Sequence, residues 1–310
     1  MRAAFLLLFL FAGCQAAPPA ATDGGRPAYS ARLLGAAQDA GLPHIGCHAP
    51  ICAEAFARGE RRRVTALALE GPDGWWLLDA TPDLSEQVAS MGGLPDGILL
   101  SHAHIGHYTG LMYLGREGLG ARGLPVWCAP GMKSFLEANQ PWRQLVELGQ
   151  VELGALTAGA ALELDPHLAV TPLLVPHRDE LSETLGFLVS VDGRPSLLYL
   201  PDIDRWERWD RSLVELARRL DWLVLDGTFW SAAELPGRDL SEIPHPPVTA
   251  TMELLQAVRD AGGARVVFTH LNHSNPLWRD GPERAELRAR GFEHAVGPEP
   301  GQGPVMPLGG

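Results

Sequence analysis

Three histidines fall within six residues in the segment Ser101-His102-Ala103-His104-Ile105-Gly106-His107, in a chain of 310 residues that has only 11 histidines. Imidazole is the commonest neutral protein ligand for a borderline metal ion such as Zn²⁺. The cluster directly follows an apolar run over 97–101 that reads as a buried strand. On the loop leaving such a strand, side chains at i and i+2 can converge on one ion. His107, at the start of a following helix, can face the same hollow. Other ligand-type residues also stand where strands should end: His177 after a strand expected over 169–175, Asp202 after 196–200, and His270 after 265–269. A lone histidine at a strand end is usually structural. Three strand ends that each deliver a metal-ligating side chain point to one site, because open α/β sheets build sites at the carboxyl ends of strands.

The elements that must position these residues follow from the apolar pattern. Strands are expected over 64–70 and 75–79, joined through the turn Gly71-Pro72-Asp73-Gly74 as a hairpin. Further strands are expected over 126–129, 184–191 and 222–226. Helices are expected over 83–91, stopped by Gly92-Gly93, and over 132–138, 206–220, 249–261 and 284–290. The two halves both read as strands with outer helices, with no composition break inside 31–310 and no short-period repeat. This predicts an α/β fold: a four-layer αββα sandwich forming one domain over 31–310.

Composition narrows the function classes. Twenty-five Lys and Arg against 37 Asp and Glu leave a net charge of −12, which argues against nucleic acid as a partner and leaves a small molecule as the expected substrate. The hydrophobic fraction of 46% is too high for a disordered chain. At the N-terminus, Arg2 precedes an apolar run over 3–12 that is too short to span a bilayer and fits a secretory signal. The run ends Leu10-Phe11-Ala12-Gly13-Cys14, which resembles a bacterial lipoprotein signal with Cys14 lipidated, although Phe11 stands where leucine is usual. The alternative is ordinary cleavage near Ala16 or Ala17. The expectation is a signal over 1–14 and a Pro-, Ala- and Gly-rich flexible tether over 15–30. The protein would then be periplasmic or held to the cell envelope, meeting membrane only through its N-terminal lipid. Cys47, Cys52 and Cys128 make an odd count, which argues against a disulfide framework.

The order of an HxHxxH segment, a lone histidine, an aspartate and a final histidine resembles the metallo-β-lactamase superfamily, over roughly residues 31–300. The resemblance implies that His102, His104, His107, His177, Asp202 and His270 hold one or two metal ions above an αββα sandwich. It makes Asp202 and His270 the catalytic candidates. One position departs from the pattern: the superfamily writes HxHxDH, and the aspartate position is Gly106 here. His102, His104 and His177 remain as a three-histidine site with an open fourth position, the arrangement that lowers the pKa of a bound water toward about 7. The second site then lacks a carboxylate, with His273 either compensating or standing at the rim. One tightly bound ion and a weaker second are expected. Zn²⁺ leads, and Fe and Mn fit the same His/Asp donors. Asp79 and Asp226, at strand ends, would orient ligand rings, with a turn-capping role as the alternative for Asp79.

Within the superfamily the chain is similar to the coenzyme PQQ synthesis protein B group. The segments that carry this are Leu34-Gly35-Ala36-Ala37, residues 79–83 (DATPD), 226–230 (DGTFW), 269–276 (THLNHSNP) and 283–286 (ERAE). That group has a C-x-C-x-x-C loop; here Cys47 and Cys52 match its outer cysteines and Ala49 replaces the central one. His44 and His48 could restore four ligands around Cys47 and Cys52 as a structural zinc site. The intact histidine cluster and the export signal depart from that group and favour an exported metallohydrolase with metal-bound hydroxide as nucleophile. A PQQ-pathway protein that oxidises a precursor or carries the product, and a non-catalytic binding lipoprotein, stay open beside it.

Overall fold

The computed structural model describes residues 29–234, 237, 243–297 and 303–309. The first half of the chain supplies β1 (Tyr29–Leu33), β2 (Leu67–Glu70), β3 (Trp75–Leu78), β4 (Gly97–Leu99), β5 (Leu124–Cys128) and β6 (Val151–Ala155). The second supplies β7 (Leu162–Glu163), β8 (Leu168–Val175), β9 (Thr184–Val191), β10 (Arg194–Leu200), β11 (Trp222–Asp226), β12 (Arg265–Thr269), β13 (Glu293–His294) and β14 (Val305–Leu308). Two seven-stranded sheets result, ordered β14-β1-β2-β3-β4-β5-β6 and β13-β12-β11-β10-β9-β8-β7. Both are mixed: β3 to β6 and β10 to β13 run parallel to their neighbours, and the remaining pairs are antiparallel.

The flanking helices are α1 (Pro50–Ala57), α2 (Leu84–Met91), α3 (Ile105–Tyr108), α4 (Pro130–Ala138), α5 (Trp142–Glu147), α6 (Leu213–Ala217), α7 (Val248–Asp260) and α8 (Pro282–Ala289). Strands covered on both faces lose the alternation of a half-exposed strand. Accordingly every residue of β3 and of β11 is buried. Tyr199, Phe187, Phe268 and Leu77 lie fully inside. The two mixed sheets with flanking helices form the αββα sandwich expected from the pattern. Among the described residues, no helix is long and apolar enough to cross a membrane.

The helix expected over 206–220 forms differently. A 3₁₀ turn over Trp206–Arg208 and the short α6 replace it. The indole N–H groups of Trp206 and Trp209 donate to Thr251 Oγ1 (2.9 Å) and to the Leu174 carbonyl (2.7 Å), pinning this segment to its neighbours. Ser212 then starts a new helix by accepting from Glu215 N at 3.2 Å, an N-cap inside what reads as one amphipathic stretch. The expected tether also ends sooner. Tyr29 and Ser30 already pair with Leu308 and Pro307 in β14, and Ser30 with Glu70 in β2. The signal over 1–14 and residues 15–28 of the tether lie outside the described residues.

Candidate metal centre

The carboxyl ends of the central strands deliver the chemistry. After β4 the chain turns through His102 and His104 into α3, which carries His107. His177 follows β8, Asp202 follows β10, Asp226 closes β11 and His270 follows β12. Asp79, directly after β3, has φ 71° and His270 has φ 59°. Left-handed backbone is uncommon for residues other than glycine and is held only where surrounding contacts over-determine it.

Two groups of ligands form. In the first, ligand atoms of His102, His104 and His177 lie within 4.8 Å of one another. His102 Nε2 is 2.8 Å from His104 Nδ1. In the second, His107 Nε2 is 3.0 Å from Asp202 Oδ2, and His270 Nε2 is 3.4 Å from the same oxygen. Asp202 joins the groups, because its Oδ1 faces His177 Nε2 at 3.6 Å.

The second group holds a residue that sequence reasoning missed. Asp39, in the loop after β1, places Oδ1 3.5 Å from His107 Nε2 and 3.6 Å from His270 Nε2. The expectation that Gly106 leaves this group short of a carboxylate is thereby corrected: a second carboxylate arrives from another part of the chain. His273 does not fill the gap either, since it faces the cysteines described below. His245 was also missed. It lies within 4.8 Å of the ligand atoms of His177 and Asp202, and its Nδ1 is 2.7 Å from Asp226 Oδ2. Its sequence signal is a histidine held between Pro244 and Pro246.

The rings are oriented from behind. His107 Nδ1 is 2.8 Å from Asp79 Oδ2, so it donates there and turns Nε2 inward. Asp79 Oδ1 accepts from Ser101 N at 2.8 Å, which ties it to the start of the histidine segment. Thr228 Oγ1 donates to Asp226 Oδ1 (2.8 Å) and therefore accepts from His270 Nδ1 (3.0 Å), leaving His270 Nε2 facing inward too. His102 Nδ1 pairs with Ser101 Oγ at 2.9 Å.

Burial and neighbouring charge set the protonation states. Burial, reinforced by His107, holds His102 well below the usual imidazole value. Burial likewise pushes His177 down to about 4, with His245 adding to the effect against the opposing pull of Asp202. Both are therefore neutral donors of the kind a metal requires. Burial opposes charge on His107, but Asp79 and Asp202 outweigh it and hold its pKa well above the ordinary value. Burial disfavours the ionised form of Asp202, but His270 and His107 outweigh it and keep its pKa well below the usual carboxylate range.

Buried polar atoms are normally hydrogen-bonded, and orphans call for an explanation such as an ion. Asp39 Oδ1, His107 Nε2, Asp202 Oδ2 and His270 Nε2 are all buried without a hydrogen-bond partner. Four unpaired donor atoms of metal-ligating residue types, aimed at one another, fit a cation.

Asp226 orients His245 directly and His270 through Thr228. Asp79, for which a turn cap was the alternative, bonds His107 directly. The cysteine loop differs from expectation in one member. Cys47 Sγ and Cys52 Sγ lie 3.4 and 3.6 Å from His273 Nδ1. The His44 ring is 4.5 Å from that of His273, centroid to centroid. His48 is exposed, and His273 stands where it was expected. Cys47, Cys52 and Cys128 are free thiols.

Two sheets carrying this constellation at their strand ends define a class. The chain belongs to the beta-lactamase superfamily: the profile of the beta-lactamase superfamily domain matches residues 74–271. It is 31% identical over 300 residues to coenzyme PQQ synthesis protein B of Azotobacter vinelandii, covering 85% of this chain and 96% of that protein. It is 29% identical over 303 residues to the protein of the same name from Stutzerimonas stutzeri, with the same 85% and 96% coverage. Among solved structures, zinc-bound PqqB from Methylobacterium extorquens superposes with a TM-score of 0.74 at 24% identity, covering 90% of this chain and 100% of that one. A diphosphatase of the PhnP family gives 0.66 at 22% identity, covering 91% and 98%. Both resemblances drawn from the sequence, to the superfamily and to the PQQ synthesis protein B group, therefore stand.

Proposed function

We propose that the protein is a zinc-dependent hydrolase acting on an ester, lactam, phosphodiester or similar bond of a small molecule. The observation that supports it best is the ring of unpaired buried donor atoms around Asp202. His102, His104 and His177 would hold one ion, and Asp202, His107 and His270 a second. The chemistry such ions would supply is Lewis acidity, which lowers the pKa of a coordinated water toward about 7 and would give a nucleophile at neutral pH. Asp202, with one oxygen toward each histidine group, orients that nucleophile. Asp79 and Thr228 hold protons on Nδ1 of His107 and His270 and so keep both Nε2 atoms as donors. His245 donates from Nδ1 to Asp226, whose charge outweighs burial and raises the ring's pKa, so that the imidazolium would carry a second proton, on Nε2, to give to a leaving group and would be left neutral. The net charge of −12 disfavours a long polyanionic substrate.

Elemental analysis should find zinc, and a panel of esters, lactams and phosphodiesters should contain at least one substrate. His104→Ala should lose the first-group ion and turnover together. A metal-loaded protein inert across the panel would sink the hydrolase reading and favour a binding role. The curated relatives favour a second reading, the handling of PQQ or its precursor. Titration of the metal-loaded protein with PQQ, followed by its absorbance, tests that directly.

Two further parts belong to the proposal. Cys47, Cys52 and His273, with His44 beside them, would hold a structural zinc. Export with lipidation at Cys14 rests on Arg2, the apolar run over 3–12 and the Gly13-Cys14 pair. Cys14→Ser should move the protein from membranes to the soluble periplasmic fraction or leave it unprocessed; unchanged fractionation at the same processed mass would end the anchor reading.

A further inference from the structure

The geometry points to Asp39 as the replacement for the aspartate missing at Gly106: the second ion takes its carboxylate from the loop after β1 instead of from the histidine segment. This rests on the metal-centre reading above and adds a ligand to it.

The two positions compete for one space. Gly106 is buried in α3, and a Cβ built on it would stand 2.7 Å from Asp39 Cα and 2.8 Å from Asp39 Cγ, with Oδ1 nearer still. A side chain at 106 would therefore meet both the backbone and the carboxyl group of Asp39 where they now stand. The absence of a side chain at 106 is what admits Asp39 to the centre. Once admitted, Asp39 Oδ1 is buried without a partner and faces His107 Nε2 and His270 Nε2, which are also unpartnered.

Asp39 is also held in register with a ligand of the same ion. Gln38 N donates to the Leu271 carbonyl at 2.9 Å, and Leu271 N donates to the Ala36 carbonyl at 2.7 Å. Ala37 forms parallel bridges to both Leu271 and Val64. Gly41 N closes the turn on the Gln38 carbonyl at 2.8 Å. Asp39 thus sits on a loop stitched to the residue that follows His270. The backbone presents the two side chains together, as a ligand pair requires.

The test counts zinc per chain after equilibrium dialysis, together with circular dichroism and melting to confirm folding. Asp39→Asn keeps shape and removes the charge. It should hold one ion fewer than the unmodified protein, with affinity for that ion weakened by at least about 10- to 100-fold. Gly106→Asp alone should also lose that ion, because the new side chain meets Asp39. Asp39→Ala, which removes the carboxyl group and keeps the backbone, should show the same loss of one ion. An unchanged count and affinity in folded Asp39→Asn or Asp39→Ala overturns the assignment. Should Asp39→Asn not fold, Asp39→Ala decides alone. Absence of bound metal in the unmodified protein would instead sink the metal-centre reading itself.

Discussion

Replacing Asp79 with asparagine tests how the second site is built. Asp79 is fully buried and adopts φ 71°, a conformation that asparagine tolerates, so backbone and volume are kept. What changes is the hydrogen bonding. The carboxylate accepts from Ser101 N on one oxygen and from His107 Nδ1 on the other, each at 2.8 Å. Asparagine has one oxygen, and Ser101 N–H can only donate, so that oxygen goes to Ser101. The carboxamide nitrogen then faces His107 Nδ1 and calls for a lone pair there, which moves the ring proton to Nε2. Nε2 is the atom aimed at Asp202 and Asp39. To bind a metal, the variant must restore the other tautomer and leave a buried N–H against an NH₂ group. That costs about 1–3 kcal/mol, or roughly 5- to 150-fold in affinity at 1.4 kcal/mol per tenfold. Competition with a chelating fluorophore measures the loss, which should fall on one ion and spare the one held by His102, His104 and His177. Long-range ¹H–¹⁵N spectra of the metal-free variant report the tautomer directly. Affinity unchanged for every ion, with the proton still on Nδ1, would refute the reasoning.

The rest of the molecule yields two further expectations. Phe268 is fully buried against Phe292, their rings 6.1 Å apart, and Phe268→Ala should cost about 3–5 kcal/mol in denaturant unfolding. A loss below about 1 kcal/mol would mean that this part of the core is loosely packed. Burial, then Arg284 and Arg288, push His294 down to about 4 from 6.5. Between those values the unfolded chain takes up a proton that the folded chain refuses. Stability from this group is thus full above pH 6.5 and lost as pH falls toward and through 4. His294→Gln should flatten that part of the stability–pH curve; an unaltered acid limb would assign the loss to other groups.

Much of this was legible in the sequence. The strands over 184–191, 222–226 and 265–269 form with those bounds, because continuous apolar runs bounded by turns leave little choice. The histidine segment, His177, Asp202 and His270 could be picked out because each follows such a run. Asp39 could not, since a single carboxylate in a loop has no periodicity, and its role depends on the empty space at Gly106, 67 positions further along. His273 was visible but its partners were not: it pairs with cysteines more than 220 positions away. The segment over 206–220 has an amphipathic pattern that misleads, because Ser212 caps a helix where the apolar spacing suggests continuity.

The pairing of β1 also governs the order in which the molecule can be completed. β1 lies between β2 and β14, so one of its neighbours comes from the first seventy residues and the other from beyond residue 300. While the chain emerges, β1 can dock on the hairpin of β2 and β3, yet its outer edge stays open until Val305–Leu308 arrives. An open strand edge is a template for foreign strands. The edge is therefore most vulnerable between the docking of β1 on the hairpin and the pairing of Val305–Leu308, and a nick or early stop near residue 300 would prolong that interval indefinitely.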